Sequence, residues 1–204
     1  PGFIDAHSHV MMGAQLVDYV NVSSPPVAGV NNINDIINKL KKKKKDDNIE
    51  KGEWIIGWGY DPDLLDEGRH PNKFDLDKDF PDNPVYLNHV SGHLSTMNSR
   101  ALELVGYTSE TPNPAGGEIY RVNNSTEPTG LISETAMAQA REALPKLPAA
   151  ELLDNLKVTL EQYASNGITT ANDGFTSALQ IQQLMEAQET MDFPIDVVGL
   201  LGFT

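Results

Sequence analysis

From Glu151 onward helix and strand signals alternate, and that alternation limits the folds open to this chain more than any other feature. Leu152, Leu153, Leu156, Val158, Leu160 and Tyr163 mark an amphipathic helix over Glu151 to Asn166, closed by Gly167. Ile168 to Gly174 is rich in β-branched residues and reads as a strand, with the carboxylate of Asp173 near its end. Ser177 caps a second helix running to Thr190, and Ile195 to Gly202 is an almost unbroken apolar run, the pattern of a strand buried on both faces. Helix, strand, helix, strand in succession is the sequence of βαβ units in a parallel sheet.

The N-terminal stretch Pro-Gly-Phe-Ile-Asp-Ala-His-Ser-His-Val opens with a turn pair and a short apolar run, then sets two imidazoles two residues apart. On a strand, residues i and i+2 share a face, so His7 and His9 are expected to project together. Two neutral imidazoles converging on one point make half of a transition-metal site. Asp5 falls on the same face, as an acceptor that would orient one of the rings. A His-x-His pair alone is more often a surface or core pair than a ligand set, so the weight rests on its flanks.

Between these ends the chain changes character. Asn31 to Lys45 reads as a helix capped by Asn32, with Ile33, Ile36, Ile37 and Leu40 on one face. The lysines at 41–45 suit a solvated helix C-terminus better than a nucleic-acid patch, since Asp46, Asp47 and Glu50 follow them. Glu53 to Tyr60 reads as a strand with two internal glycines, and residues 64–80 as loop, with His70 a loop residue without chemistry. Asn83 to Val90 is a further strand, with His89 packed within it and His93 emerging past its end. Residues 98–105 form a helix, residues 118–122 and 130–133 a hairpin, and Glu134 opens a helix to Leu144.

Composition excludes several functions. With no cysteine, disulfides, thiolate nucleophiles and Cys-based zinc sites are ruled out. A net charge of -14 disfavours nucleic acid and anionic membranes as partners, and no apolar run approaches the ~20 residues of a membrane span.

The residues around these features carry a resemblance. Pro1-Gly2-Phe3-Ile4-Asp5-Ala6-His7-Ser8-His9 resembles the first barrel strand of the amidohydrolase superfamily, where Pro-Gly-x-Ile-Asp-x-His-x-His is a specific signature. Trp54-Ile55-Ile56-Gly57-Trp58-Gly59-Tyr60-Asp61, Gly92-His93 with Asn98-Ser99 and Ala101-Leu102, Gly116-Gly117-Glu118-Ile119 with Pro128-Thr129-Gly130-Leu131, and Gly167-Ile168-Thr169-Thr170 resemble successive blocks of its amidohydrolase 3 group. Thr96 departs from that group, many of whose members have Trp there in a substrate wall.

The resemblance implies an α/β fold: a partial (β/α)8 TIM barrel, represented by its first three strands at residues 2–9, 168–173 and 195–202. A large α+β insertion at residues 11–148 follows strand 1, and residues 149–204 run from barrel helix 1 to strand 3. A complete barrel takes ~250 residues and eight strands, so the expectation is an N-terminal portion, with the rest of the barrel and a flanking β-sandwich absent. It further implies His7 and His9 as ligands of a divalent metal, zinc first and iron or manganese as alternatives, absent if the fragment alone does not hold it. The chemistry implied is hydrolysis of an amide- or formamide-type C–N bond by metal-activated water. His93 and Glu134 are the catalytic candidates, and His93, Trp58 and Asp61 the substrate-binding ones. The fragment by itself is expected to be inactive; the alternative is a non-catalytic regulatory or binding module on an amidohydrolase scaffold. The expected partner is a small-molecule substrate; the unfinished sheet is expected to lead to homodimerisation, strand exchange or disorder at one end, and the cytoplasm is the favoured compartment.

Overall fold

The computed structural model describes residues 2–202. Pro1, placed above in the opening turn and the first motif, lies outside them, as do Phe203 and Thr204 at the end of the last predicted segment. In chain order the elements are β1 (Phe3–Ser8), α1 (Val10–Leu16), β2 (Val20–Asn21), α2 (Ile33–Asp46), β3 (Ile55–Tyr60), α3 (Lys73–Asp77), β4 (Val85–His89), β5 (Leu94–Met97), α4 (Ser99–Val105), β6 (Gly117–Arg121), β7 (Pro128–Glu134), α5 (Ala136–Ala143), α6 (Ala149–Ser165), β8 (Ile168–Thr176), α7 (Ala178–Thr190) and β9 (Asp196–Leu201). A single 3-10 turn, Pro62–Leu64, follows β3. The chain divides into two units, Pro1–Asp18 with Lys146–Thr204, and Tyr19–Pro145.

In the first unit three parallel strands lie in the order β1-β8-β9. The alternation of helix and strand after residue 151 therefore produces the parallel sheet it predicts. Asp5 sits opposite Ala171 and Ser8 opposite Asp173, so β1 carries one residue more than β8 over that interval and bulges. Val10, Met11 and Ala14 of α1 pack with Leu152, Leu156 and Leu160 of α6, Ala171 of β8 and Leu184 and Ala187 of α7. Strand β9 differs from expectation. Its apolar run predicts burial on both faces, yet Val198, Leu200 and Leu201 are 47%, 47% and 51% exposed. Among the described residues its one strand neighbour is β8, which makes it an edge strand.

The second unit is built on a six-stranded mixed sheet in the order β2-β3-β4-β5-β7-β6. Strands β2, β3 and β4 are parallel, and β5, β7 and β6 continue the sheet in antiparallel pairings. Alternate residues feed two cores. Ile55, Val85 and Leu87 join Ile33, Ile36, Ile37 and Leu40 of α2 on one face, while Ile56 and Tyr86 join Met97, Ile119, Ile132 and Met137 on the other. Each of the four apolar residues of α2 contributes about 2 kcal/mol by leaving water. Asn32 caps this helix as the sequence indicates, accepting from the Asp35 backbone N–H at 2.9 Å. Its lysines are solvated and paired, Lys41 with Asp79 at 2.6 Å and Lys43 with Asp47 at 2.7 Å.

Asn98 fastens the two halves of this sheet. Its side-chain oxygen accepts from Val85 N at 2.9 Å and Ala101 N at 3.0 Å, and its amide donates to the carbonyls of Phe80 and Asn83, each at 2.9 Å. The side chain is fully buried, so an asparagine here both caps α4 and starts β4. Gly130 allows a comparable closeness at β7: it has φ +99°, and a Cβ at this position would stand 2.1 Å from the Met97 carbonyl oxygen.

Candidate metal-binding site

His7 and His9 come together at the C-terminal end of β1, with ring centroids 5.2 Å apart and planes at 80°. The route differs from the simple strand expected. Strand β1 ends at Ser8, and His9 is the N-cap of α1, with φ -139° and ψ 70°. The chain turns there because Asp173 takes the first helical N–H groups. Its carboxylate accepts from Met11 N at 3.1 Å and also from the Val10 N–H. Asp173 therefore caps α1 and not the helix that follows it in sequence; α7 has its own cap in Ser177, which accepts from Gln180 N at 3.2 Å. Burial pushes the Asp173 carboxyl up from the ordinary range, and the Met11 and Val10 N–H groups and His9 pull it back.

The two rings are prepared differently. His9 Nδ1 lies 2.9 Å from the carbonyl oxygen of Gly174, which accepts only, so Nδ1 carries the proton and donates it. Nε2 is then the unprotonated nitrogen with a lone pair for an ion, the arrangement by which ligating histidines are oriented. The His7 ring makes no hydrogen bond to the described residues, and its space is secured by the absence of a side chain at 174. A Cβ there would stand 2.8 Å from His7 Cε1. Asp5 does not orient a ring: its carboxylate accepts from the His7 backbone N–H at 3.2 Å. The orienting acceptor is instead a β8 carbonyl, which no side-chain pattern in the sequence reveals.

The residues present thus suit a divalent ion at His7 and His9: two exposed imidazoles, one with its lone pair directed by a carbonyl. They do not enclose one. Among the described residues no group of three His, Cys, Asp or Glu side chains is placed to hold an ion.

In the second unit His93 and Glu134 do meet. His93 Nδ1 is 3.2 Å from one Glu134 carboxylate oxygen and 3.3 Å from the other, and the Glu134 backbone N–H donates to the His93 carbonyl at 3.0 Å. Glu134 is the last residue of β7 and does not open a helix. It has φ +52°, a left-handed conformation that costs a non-glycine residue of order 1 kcal/mol, and α5 begins at Ala136. Trp58 is half-buried in β3, and Asp61 lies just past it with its carboxylate accepting from Asp63 N at 3.0 Å as the cap of the 3-10 turn. No hydrogen bond among the described residues joins the Trp58 or Asp61 side chain to His93 or Glu134.

A further group escapes sequence reasoning. His70 lies in a loop, as expected, but its ring packs with two others. Its ring lies 5.8 Å from that of Tyr60 and 5.7 Å from that of His89, and Tyr60 and His89 are 5.4 Å apart. Spacings of ten and nineteen residues across irregular chain have no period to detect. Thr96, aligned above with a substrate-wall position, is completely buried and bonds Tyr60 Oη at 3.2 Å, so it lines no wall.

Parallel strands joined by helices, with a histidine pair at the C-terminal end of the first, define an α/β protein with a candidate metal site. A sequence profile of the amidohydrolase family matches residues 1–202, and the chain belongs to that family. It is 32% identical to N-substituted formamide deformylase of Arthrobacter pascens over 206 residues, covering 99% of this chain and 37% of that protein. It is 28% identical to the putative amidohydrolase YtcJ of Bacillus subtilis, covering 83% of this chain and 30% of that one. The fold is similar to that of an uncharacterised metal-dependent hydrolase from Pyrococcus horikoshii, with a TM-score of 0.62 at 22% identity, covering 98% of this chain and 36% of the other. The chain thus spans about a third of the length of the proteins it matches. No helix among the described residues is long and apolar enough to cross a membrane.

Proposed function

We propose that His7 and His9 supply two ligands of a divalent ion, zinc first and iron or manganese as alternatives, in a hydrolase that cleaves an amide- or formamide-type C–N bond of a small molecule. The observation that carries this is the His9 Nδ1–Gly174 carbonyl bond, which leaves Nε2 free to ligate. Family membership and the likeness to a formamide deformylase support the substrate class. The order β1-β8-β9, with all three strands parallel, supports the partial-barrel reading, because in such barrels the active site lies at the C-terminal strand ends.

An ion held here would lower the pKa of its bound water to about 7 and polarise the scissile carbonyl. The chain's own residues do the positioning. Gly174 fixes the tautomer of His9 and leaves room for His7, while Asp173 anchors the turn that carries His9. In the second unit Glu134 holds the His93 ring through Nδ1, which leaves Nε2 for proton transfer or substrate contact, and Trp58 and Asp61 are assigned to substrate contact. Two ligands do not complete a four-coordinate site, so residues 1–204 alone are assigned no turnover.

The test is metal content by plasma mass spectrometry on the natural polypeptide containing these residues, purified without chelator, together with hydrolysis of an N-substituted formamide. Stoichiometric metal and turnover, both lost in His7→Ala with His9→Ala, support the hydrolase. Metal that survives the double substitution refutes the assignment of the two ligands. A metal-free, inactive wild type with a normal fold favours the non-catalytic module.

A further inference from the structure

The Tyr60, His70 and His89 cluster fixes its two imidazoles in opposite protonation forms. Thr96 Oγ1 lies 3.1 Å from the carbonyl oxygen of the buried Pro71, which accepts only, so the Thr96 proton points there. Tyr60 Oη, 3.2 Å from Thr96 Oγ1, then donates to that oxygen. Having spent its one proton, Tyr60 Oη is an acceptor for His70 Nδ1 at 3.1 Å. This is the assignment that gives every contact a proton, and it makes His70 the Nδ1–H tautomer with a bare Nε2. His89 is the reverse. The Ser91 backbone N–H, which donates only, lies 3.0 Å from His89 Nδ1, and the Ser91 hydroxyl lies 2.8 Å from the same nitrogen. Nδ1 is therefore an acceptor, and neutral His89 carries its proton on Nε2.

Neither Nε2 has a hydrogen-bond partner among the described residues, and both side chains are only partly buried. Burial lowers the pKa of both rings, and for His70 the neighbouring His89 adds to this. The carboxylates of Asp61 and Asp63 lie close enough to act on both. What the pair offers is one acceptor and one donor, 5.7 Å apart by ring centroids, in a field set by two carboxylates. A divalent cation is excluded as the preferred occupant, because Nε2–H of His89 cannot ligate while Nδ1 takes the Ser91 N–H. An anion is opposed by Asp61 and Asp63.

We propose that His70 and His89 form a subsite for a neutral carboxamide group, its N–H donating to His70 Nε2 and its carbonyl accepting from His89 Nε2–H. A carboxamide carries a donor and an acceptor on one planar group, the complement of a bare Nε2 paired with an Nε2–H. The assignment rests on the protons of this cluster and not on the ion at His7 and His9, and the two fail separately, because metal content is read independently.

The experiment is long-range 1H–15N spectroscopy of 15N-histidine-labelled protein at pH 7.5, titrated in parallel with acetamide, sodium acetate and zinc chloride. The expected result is His70 as the Nδ1–H tautomer, His89 as the Nε2–H tautomer, and saturable acetamide shifts at both Nε2 atoms with none from acetate. His70→Ala or His89→Ala weakens acetamide binding about fivefold or more, the scale of one lost neutral hydrogen bond. Tyr60→Phe keeps the ring packing and should release His70 into a mixture of tautomers, a readout independent of whether the alanine variants fold. Identical tautomers, shifts at one ring alone, no saturation by acetamide, or zinc binding preferentially to this pair overturns the proposal.

Discussion

The Gly174 carbonyl accepts the Nδ1 proton of His9 at 2.9 Å, while the missing Cβ of the same residue makes room for the ring of His7. One glycine on β8 thus prepares both imidazoles, through its backbone for one and its lack of a side chain for the other. Gly174→Ala should therefore weaken metal binding about tenfold or more while leaving the circular dichroism spectrum unchanged. His7 is exposed and is able to swing away from the new methyl group, so stability should change by less than about 1.5 kcal/mol. Unchanged metal affinity would show that the position of His7 does not matter.

Asp173 reaches from β8 to the first turn of α1, and its contribution is that of a helix cap. Asp173→Ala should cost about 1–2 kcal/mol in urea unfolding. Asp173→Asn keeps an acceptor oxygen and should cost less. The reverse order would mean that the negative charge, and not the hydrogen bonds, holds the turn.

Asn98 satisfies four backbone groups from one buried side chain. Asn98→Ala leaves the Val85 and Ala101 N–H groups and the Phe80 and Asn83 carbonyls without their partner, and the expected loss is about 3 kcal/mol or more. Asn98→Asp keeps the acceptor oxygen but loses both amide donors and buries a charge, so it should be no better tolerated. A loss below about 1 kcal/mol in either variant would mean that water replaces the side chain.

The neutral histidine pair makes stability depend on pH in a stated direction. His70 has its pKa lowered from 6.5, chiefly by burial and then by His89, against the opposing pull of Asp61 and Asp63. The folded state therefore binds its proton later than the unfolded state does. At pH well above 6.5 the ring is neutral in both states and imposes no penalty. As pH falls below 6.5 the unfolded state protonates first, and stability is lost until the folded pKa is passed. Urea unfolding at pH 7.5 and 5.0 should show a smaller pH difference for His70→Asn than for the wild type. An equal difference would exclude His70 as a contributor.

Those elements whose information is local were legible in the sequence. Asn32 and Ser177 cap the helices they immediately precede, and the apolar spacing of α2 matches its buried face, whereas in α6 Val158 is 50% exposed and the polar Asn155 and Thr159 are buried in its place. What depends on distant chain was not. His9 looks like a strand residue because nothing near it announces that Asp173, far along the chain, will bend the backbone there. Glu134 follows an apolar run and precedes a helical one, but the chain spends it in a left-handed turn beside His93. His70 acquires partners only when β3 and β4 align and bring Tyr60 and His89 together. The apolar run of β9 shows what could bury it, not what does.

The central claim is that His7 and His9 bind a divalent ion, with His9 ligating through Nε2. The most direct measurement is a zinc titration of 15N-histidine-labelled protein, followed at every imidazole nitrogen. The account predicts His9 as the Nδ1–H tautomer before zinc is added, with the first zinc-dependent shifts at His9 Nε2 and the His7 ring, and their disappearance in His9→Ala. His9 found with its proton on Nε2, or zinc taken up first by His70, His89 or His93, would contradict it.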